Sequence, residues 1–367
     1  MPINEAKAAE VRGFPCESCG AQLTYAPGTF SLKCESCGHL NQIQFERAAV
    51  VEYDLAQLDL QPATTNRGFG VETRNFKCRQ CAATTSFPSG VTSTKCSFCG
   101  SDVVVQTPSS PDLVRPETLI SFQFDKNVAA QKFRAWLKGL WFRPSDLNKM
   151  AKVADISGAY TPFFTFDASA SSDWTGEAGF YYYVQEQYYD AQSKRNKTRQ
   201  VRKVRWEWRN GRHEEFYNDE LICASRGMPW KLMQRIYPFQ LDALVPYKED
   251  FLAGWPAEEY SIDPKESWGI AQEILKGKEH AACSGELGGD TQRSLSVQTR
   301  FSGAKWKHLL LPVYVAAYRY RGKPYHFLVN GQTGEVSGDA PLSWWKIAGL
   351  VALILVLAGI VYLLNQQ

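Results

Sequence analysis

Eight of the ten cysteines lie within the first 100 residues, and all eight stand in C-x-x-C pairs. Cys16, Cys19, Cys34 and Cys37 form C-x2-C-x14-C-x2-C. Cys78, Cys81, Cys96 and Cys99 repeat the pattern with the same gap, 62 residues later. Other positions repeat at that offset: Phe14 with Phe76, Ala21 with Ala83, Gly28 with Gly90, Lys33 with Lys95, and Gly38 with Gly100. The unit is therefore duplicated. A C-x-x-C turn brings two sulfurs within reach of one ion, and two such turns joined by a short hairpin complete a tetrahedron of thiolates. This is metal-ligand spacing rather than a disulfide framework, and it points to a reducing compartment. Four protein ligands leave no open coordination position, so the expected cofactor is Zn2+ at two structural sites. Neither unit is large enough to bury a core. Metal binding supplies about 10–16 kcal/mol of apparent folding free energy per site, and each ribbon is expected to fold as a metal-dependent unit. The glycines after Cys19, Cys37 and Cys99 suit turns that need positive φ.

The other end of the chain has a different constraint. Ile347 to Leu364 is 18 residues without a charge, and at 1.5 Å per residue that is roughly 27 Å, close to the thickness of a bilayer core. Trp344 and Trp345 precede it where an aromatic belt would lie, with Lys346 on the same side. A single C-terminal membrane anchor is expected, with the bulk of the chain on the cytoplasmic side. The first residues, MPINEAKAAEVRGF, have no apolar core and do not read as a signal peptide. The mean hydropathy of −0.33 fits a soluble body on one anchor.

Between these ends the expected organisation is a first zinc ribbon over 1–45, a connector over 46–75 and a second ribbon over 76–107. A Pro/Ser linker follows over 108–117, then a body over 118–340 and the anchor over 341–367. The fold class is α+β: two β zinc ribbons, a mostly antiparallel β-rich body with a few helices, and one transmembrane helix. Asp125 is expected to cap a helix that turns Val128, Ala129, Phe133, Trp136 and Leu137 inward and stops near Gly139. A second helix is expected from Pro264 to Cys283. Tyr160–Ala170, Phe180–Tyr189 and Val201–Arg209 read as strands, and Asn210-Gly211 reads as a hairpin turn.

Charge narrows the function. The chain carries 41 Lys+Arg against 38 Asp+Glu, so no overall charge argues for nucleic acid. Residues 1–107 hold nine basic and ten acidic side chains. With a formal −2 on each four-thiolate zinc centre, the ribbon region reaches about −5, the wrong sign for a duplex-binding footprint. Protein recognition is the favoured role. One stretch is basic: Lys194, Arg195, Lys197, Arg199, Arg202, Lys203 and Arg205, continuing to Arg209 and Arg212, against only Asp190 and Glu207, with Trp206 and Trp208 interleaved. It reads either as a solvated hairpin or as a contact for an anionic surface, a lipid headgroup or an acidic partner, with nucleic acid as the remaining choice.

Catalytic patterns are missing. The sequence has no G-x-x-x-x-G-K-[ST], H-E-x-x-H, G-x-S-x-G or G-x-G-x-x-G. Cys223, Cys283 and the five histidines are scattered, and His39 beside Cys37 reads as a surface residue rather than a ligand. No enzyme activity and no small-molecule substrate are expected.

The two ribbons, together with Tyr160-Thr161-Pro162-Phe163-Phe164-Thr165-Phe166-Asp167-Ala168, Leu309-Leu310-Leu311-Pro312-Val313-Tyr314 and Val329-Asn330-Gly331-Gln332-Thr333-Gly334-Glu335-Val336, resemble a bacterial family of membrane-associated double-zinc-ribbon proteins. These are often labelled as transcription-factor-IIB-type zinc-ribbon proteins or relatives of primosomal protein N-prime. The resemblance implies a companion of phage shock protein A and of SPFH-type membrane-organising proteins, acting in envelope stress. It makes the chain a tail-anchored adapter for protein partners at the inner membrane. The helicase label implies the alternative, a nucleic-acid-binding protein of replication or transcription tethered to the membrane. The chain lacks the phosphate-binding loop that a helicase engine needs.

Overall fold

The computed structural model describes residues 14–45, 51–60, 68–69, 73–79, 84–88, 96, 101, 104–107, 113–147, 152–153, 156–192, 194–228, 230–321 and 323–364. Strands β1 (Leu23–Ala26), β2 (Ser31–Cys34) and β3 (Leu40–Gln42) form a small antiparallel sheet. A large mixed sheet gathers β4 (Tyr53–Asp54), β5 (Thr73–Cys78), β6 (Thr84–Pro88), β7 (Val104–Thr107), β8 (Thr118–Leu119), β9 (Lys152–Val153), β10 (Ser157–Asp190) and β11 (Arg195–Cys223). It continues with β12 (Val245–Pro246), β13 (Ala257–Glu258), β14 (Thr291–Tyr320), β15 (Lys323–Asn330) and β16 (Val336–Gly338). Its pairings are antiparallel except β10 with β13 and β14 with β8. The helices are α1 (Lys126–Gly139), α2 (Trp230–Arg235), α3 (Pro264–Leu287) and α4 (Trp344–Leu364). The chain is thus α+β, as its sequence indicates.

The burial of β10 maps the architecture. From Ala159 to Ala168 every residue is buried, because both faces of the sheet are covered. From Ser169 to Ala178 burial is close to alternate, the mark of a sheet covered on one side. Beyond Gly179 both faces are open. The alternating zone is covered by α3, whose buried residues Ser267, Ala271, Leu275, Glu279, Cys283 and Leu287 recur every four positions. Three of them are small, which allows close approach. Asp263 caps this helix at the Glu266 N–H, and Pro264 occupies its first turn. Asp125 likewise caps α1 by accepting from the N–H groups of Asn127 and Val128, and α1 buries Ala129, Phe133 and Leu137.

Two expectations need correction. Tyr160–Ala170 and Phe180–Tyr189 are parts of one 34-residue strand, about 110 Å along its path at ~3.3 Å per residue. Asn210-Gly211 is no turn: both lie within β11, opposite Thr175 and Trp174 of β10. The two strands are instead joined at the Asp190↔Arg195 end, where their pairing closes. Gly211 serves packing, because its missing side chain makes room for the Trp174 indole.

The three body motifs that carry the resemblance are neighbours in this sheet. Tyr160 pairs with Pro312, Phe163 with Leu309, and Tyr314 with Val329. They surround the deepest core, with Phe122 stacked on Trp255 and Phe133 stacked on Phe327.

At the C-terminus, α4 runs for 21 residues with no residue buried, and it is long and apolar enough to cross a membrane. Because β10 runs antiparallel to β14, the Ser157 end of β10 lies beside Val315, where β15 and β16 lead on to α4. The Asp190 end lies at the far end of the strand.

Candidate metal centre

Each half of the first cysteine set is a backbone knuckle. The Cys16 N–H donates to the Ala21 carbonyl at 2.7 Å and the Gly20 N–H to the Cys16 carbonyl at 2.8 Å. The second half repeats this, with Cys34 N–H to the His39 carbonyl at 2.9 Å and Gly38 N–H to the Cys34 carbonyl at 2.9 Å. Gly20 and Gly38 adopt φ of 74° and 75°, left-handed conformations in which a side chain would be strained. The two knuckles meet because β1 pairs with β2 in the register Leu23↔Cys34.

The four sulfurs all lie within 4.8 Å of one another. Cys16 Sγ is 3.7 Å from Cys37 Sγ, and Cys19 Sγ is 3.5 Å from Cys34 Sγ. A tetrahedron with Zn–S bonds of about 2.3 Å has edges of about 3.8 Å. The donor set therefore fits one zinc ion in both chemistry and spacing. Cys16 and Cys34 are buried while Cys19 and Cys37 are exposed, so one edge of the site faces solvent. Hydrogen bonds from the backbone of Cys37 and Ser36 hold the Cys34 thiol down at about 6. At Cys19 the Ala21 backbone lowers the thiol, but hydrogen bonds shared with Cys37 and Cys34 outweigh it and push it up to about 12. A shared divalent cation removes that competition, since each ligand then binds as thiolate. His39 is exposed and contributes only its carbonyl.

The site is fastened to the body. The Tyr25 N–H donates to the Ala253 carbonyl at 2.8 Å, the Gly28 N–H donates to the Phe122 carbonyl at 2.8 Å, and Trp255 Nε1 donates to the Tyr25 carbonyl at 3.1 Å. Phe30 and Phe45 pack with Tyr25 around Phe251. Sequence reasoning missed this docking; the aromatic residues at the hairpin tip were its only signal.

Of the second set, Cys81 and Cys99 lie outside the described residues. Cys78 and Cys96 are buried, matching Cys16 and Cys34 of the first set. The Cys96 N–H donates to the Ser101 carbonyl at 2.8 Å, the same five-residue step as in both knuckles of the first set. Strand β6 of this unit pairs with β13, so its sheet is continuous with that of the body.

The basic residues line the open end of the β10–β11 ribbon, and all seven are exposed. Lys194 sits in the turn with φ 50°. Cross-strand pairing puts Arg195, Lys197, Arg199, Lys203 and Arg205 on one face with Tyr182 and Tyr188, and Arg202 on the other. Glu186 lies 3.7 Å from Arg199 and 3.0 Å from Lys203; Glu207 lies 2.9 Å from Arg205; Asp190 pairs with Lys197. Arg202 stands over the Tyr181 ring at 4.3 Å. The patch is thus partly neutralised by its own carboxylates.

The isolated cysteines are core residues. Burial pushes the Cys223 thiol well up and the Cys283 thiol up to about 11, so neither is an activated nucleophile. His308 is buried, and burial pushes it down to about 4. One polar cluster escaped the sequence reading. The wholly buried Glu279 of α3 accepts from Ser172 Oγ at 2.6 Å and from the Tyr217 hydroxyl at 2.7 Å. His213 pairs with Glu286 at 2.7 Å, and Trp174 Nε1 donates to the same carboxylate at 2.9 Å. These contacts clamp α3 to the paired β10 and β11, which beyond α3 continue as a two-stranded arm ending at Asp190 and Arg195.

No family model matches the chain, and no solved structure matches it. It is similar to an uncharacterized protein, YdjG, of Bacillus subtilis (strain 168), with 26% identity over 244 residues. The match covers 64% of this chain and 66% of that protein.

Proposed function

We propose that the chain is an adapter: two zinc ribbons carried on a rigid β body and held at the bacterial inner membrane by α4, with the body in the cytoplasm. The observation that carries this reading is the four-sulfur cluster at Cys16–Cys37 in the same chain as an unburied apolar helix. Zinc at that site orders a ribbon whose knuckles stand at the surface. The equivalent Cys96–Ser101 bond supports a second zinc held by Cys78, Cys81, Cys96 and Cys99. Anchoring confines the chain to a thin layer and raises the effective concentration of its partners there. Those partners, by resemblance, are proteins of the phage-shock-protein-A or SPFH kind, in envelope stress. The Lys194–Arg205 tip lies about 33 residues along β10 from the end that leads to α4, which favours an acidic surface on a partner over the chain's own bilayer.

Chemical cross-linking in intact membranes, read by mass spectrometry, tests this. Cross-links from residues 14–45 or from the arm tip to a membrane-organising protein, lost in Cys16→Ser, are expected. A protein that instead binds DNA through Lys194–Arg205, with a steep salt slope, would replace the adapter with the nucleic-acid reading.

A further inference from the structure

We propose that the loop after α1 and the first turns of α4 together form a binding site for one anionic phospholipid. The inference rests on α4 lying in a membrane. The loop of residues 140–147 folds back against the base of that helix. The Ser343 N–H donates to the Phe142 carbonyl at 2.8 Å, Lys346 Nζ donates to the Trp141 carbonyl at 3.1 Å, and the Arg143 guanidinium donates to the Ala340 carbonyl. These bonds hold two large apolar side chains in the open: Trp141 is 79% exposed and Phe142 41%. Trp344 and Trp345 are exposed beside them. Four such residues at the mouth of an apolar helix form an interfacial belt, with half of it supplied from a segment some 200 residues earlier in the chain.

Two adjoining cavities share Trp141 and Lys346. One, about 680 Å³, is apolar and bounded by Trp141, Phe142, Lys346, Gly349, Leu350 and Leu353. Gly349 and Leu353 lie roughly 8 and 14 Å along the helix from its start, so this groove runs from headgroup level into acyl depth. The other, about 270 Å³, is bounded by Lys138, Arg143 and Lys346 with the Gly139–Leu140 backbone and Ser145. Its lining has three cations and no carboxylate. Asp146, the carboxylate of the loop, is turned to the Tyr320 hydroxyl at 2.9 Å and to Arg321 at 3.6 Å. A cationic cavity opening beside an apolar groove matches the two halves of one molecule, a phosphate-bearing headgroup and its acyl chain. An acidic peptide would satisfy the cations but would have no reason to enter the groove.

The test uses the full chain in nanodiscs of phosphatidylcholine with a minority of phosphatidylglycerol, with co-released lipids counted by native mass spectrometry. Preferential retention of phosphatidylglycerol is expected. The doubly substituted Lys138→Gln/Lys346→Gln chain should lose that preference by roughly tenfold. Lys276→Gln, on the exposed side of α3, should leave it unchanged. Equal retention of the two lipids by the wild type, or an unaltered preference in the double variant, overturns the site alone. Failure of the chain to enter nanodiscs overturns the membrane reading beneath it.

Discussion

Gly211 of β11 lies directly under the indole of Trp174 on β10: a Cβ at Gly211 would stand 2.5 Å from Cζ2 of Trp174. The same indole donates to Glu286 of α3, so the ring is wedged between strand and helix and cannot retreat. Gly211→Ala should therefore cost about 1–3 kcal/mol by overpacking, read as a lowered thermal midpoint of the full chain in detergent. Asn210→Ala, at an exposed mid-strand position, should be nearly neutral. Equal losses in both variants would show a turn in place of a continuous strand.

Metal loss should be felt beyond the ribbon. Tyr25, Leu32 and Cys34 belong to the same core cluster as Phe122, Phe251 and Tyr314, and β1 is bonded to the segment holding Ala253. Cys16→Ser should remove one zinc and also lower the unfolding midpoint of the body, seen as a shift in near-ultraviolet circular dichroism. His39→Ala should retain full zinc, because only its backbone takes part. An unshifted body transition in Cys16→Ser would make the ribbon energetically independent.

The clamp between α3 and the arm should depend on pH. The hydrogen bond to Glu286 holds His213 above its ordinary value, with the Glu279 and Glu215 carboxylates acting in the same sense. A raised histidine contributes stability below its unfolded value and loses it as pH rises through the folded one. Glu286, lowered by His213 and Trp174, contributes above its unfolded value and loses this on acidification. The pair therefore stabilises most between roughly pH 4.5 and 6.5. His213→Gln should cost more stability at about pH 5.5 than at about pH 8.5. The opposite order would remove the ion pair from the account.

Local chemistry marked what it could. The cysteine spacing, the Asp125 cap and the uncharged run after Lys346 are all local signals, and the sequence displays them directly. The length of β10 was hidden because its pattern changes where its surroundings change: mostly apolar at Phe163–Phe166, alternating at Ser172–Ala178, polar and aromatic at the tip. The first and last of these read as two separate strands, Tyr160–Ala170 and Phe180–Tyr189. Asn210-Gly211 carried the composition of a turn, but its glycine answers to Trp174, a partner 37 residues away. The Glu279 clamp was equally invisible, since a carboxylate on a helix reads as solvated until the arm covers it.

The anchor makes a simple demand. A chain ending at Ala340 keeps the Arg143 bond to the Ala340 carbonyl and the whole body sheet. It should appear in the soluble fraction with an unchanged β-rich circular dichroism spectrum. Continued sedimentation with membranes would locate a second anchor in the body.

Metal content of the full chain recovered from carbonate-washed membranes joins both halves of the account. Two zinc ions per chain are expected, falling to one in Cys16→Ser and one in Cys78→Ser. A chain washed off by carbonate, or one holding no zinc after mild purification, would contradict a zinc-ordered adapter fixed in the bilayer.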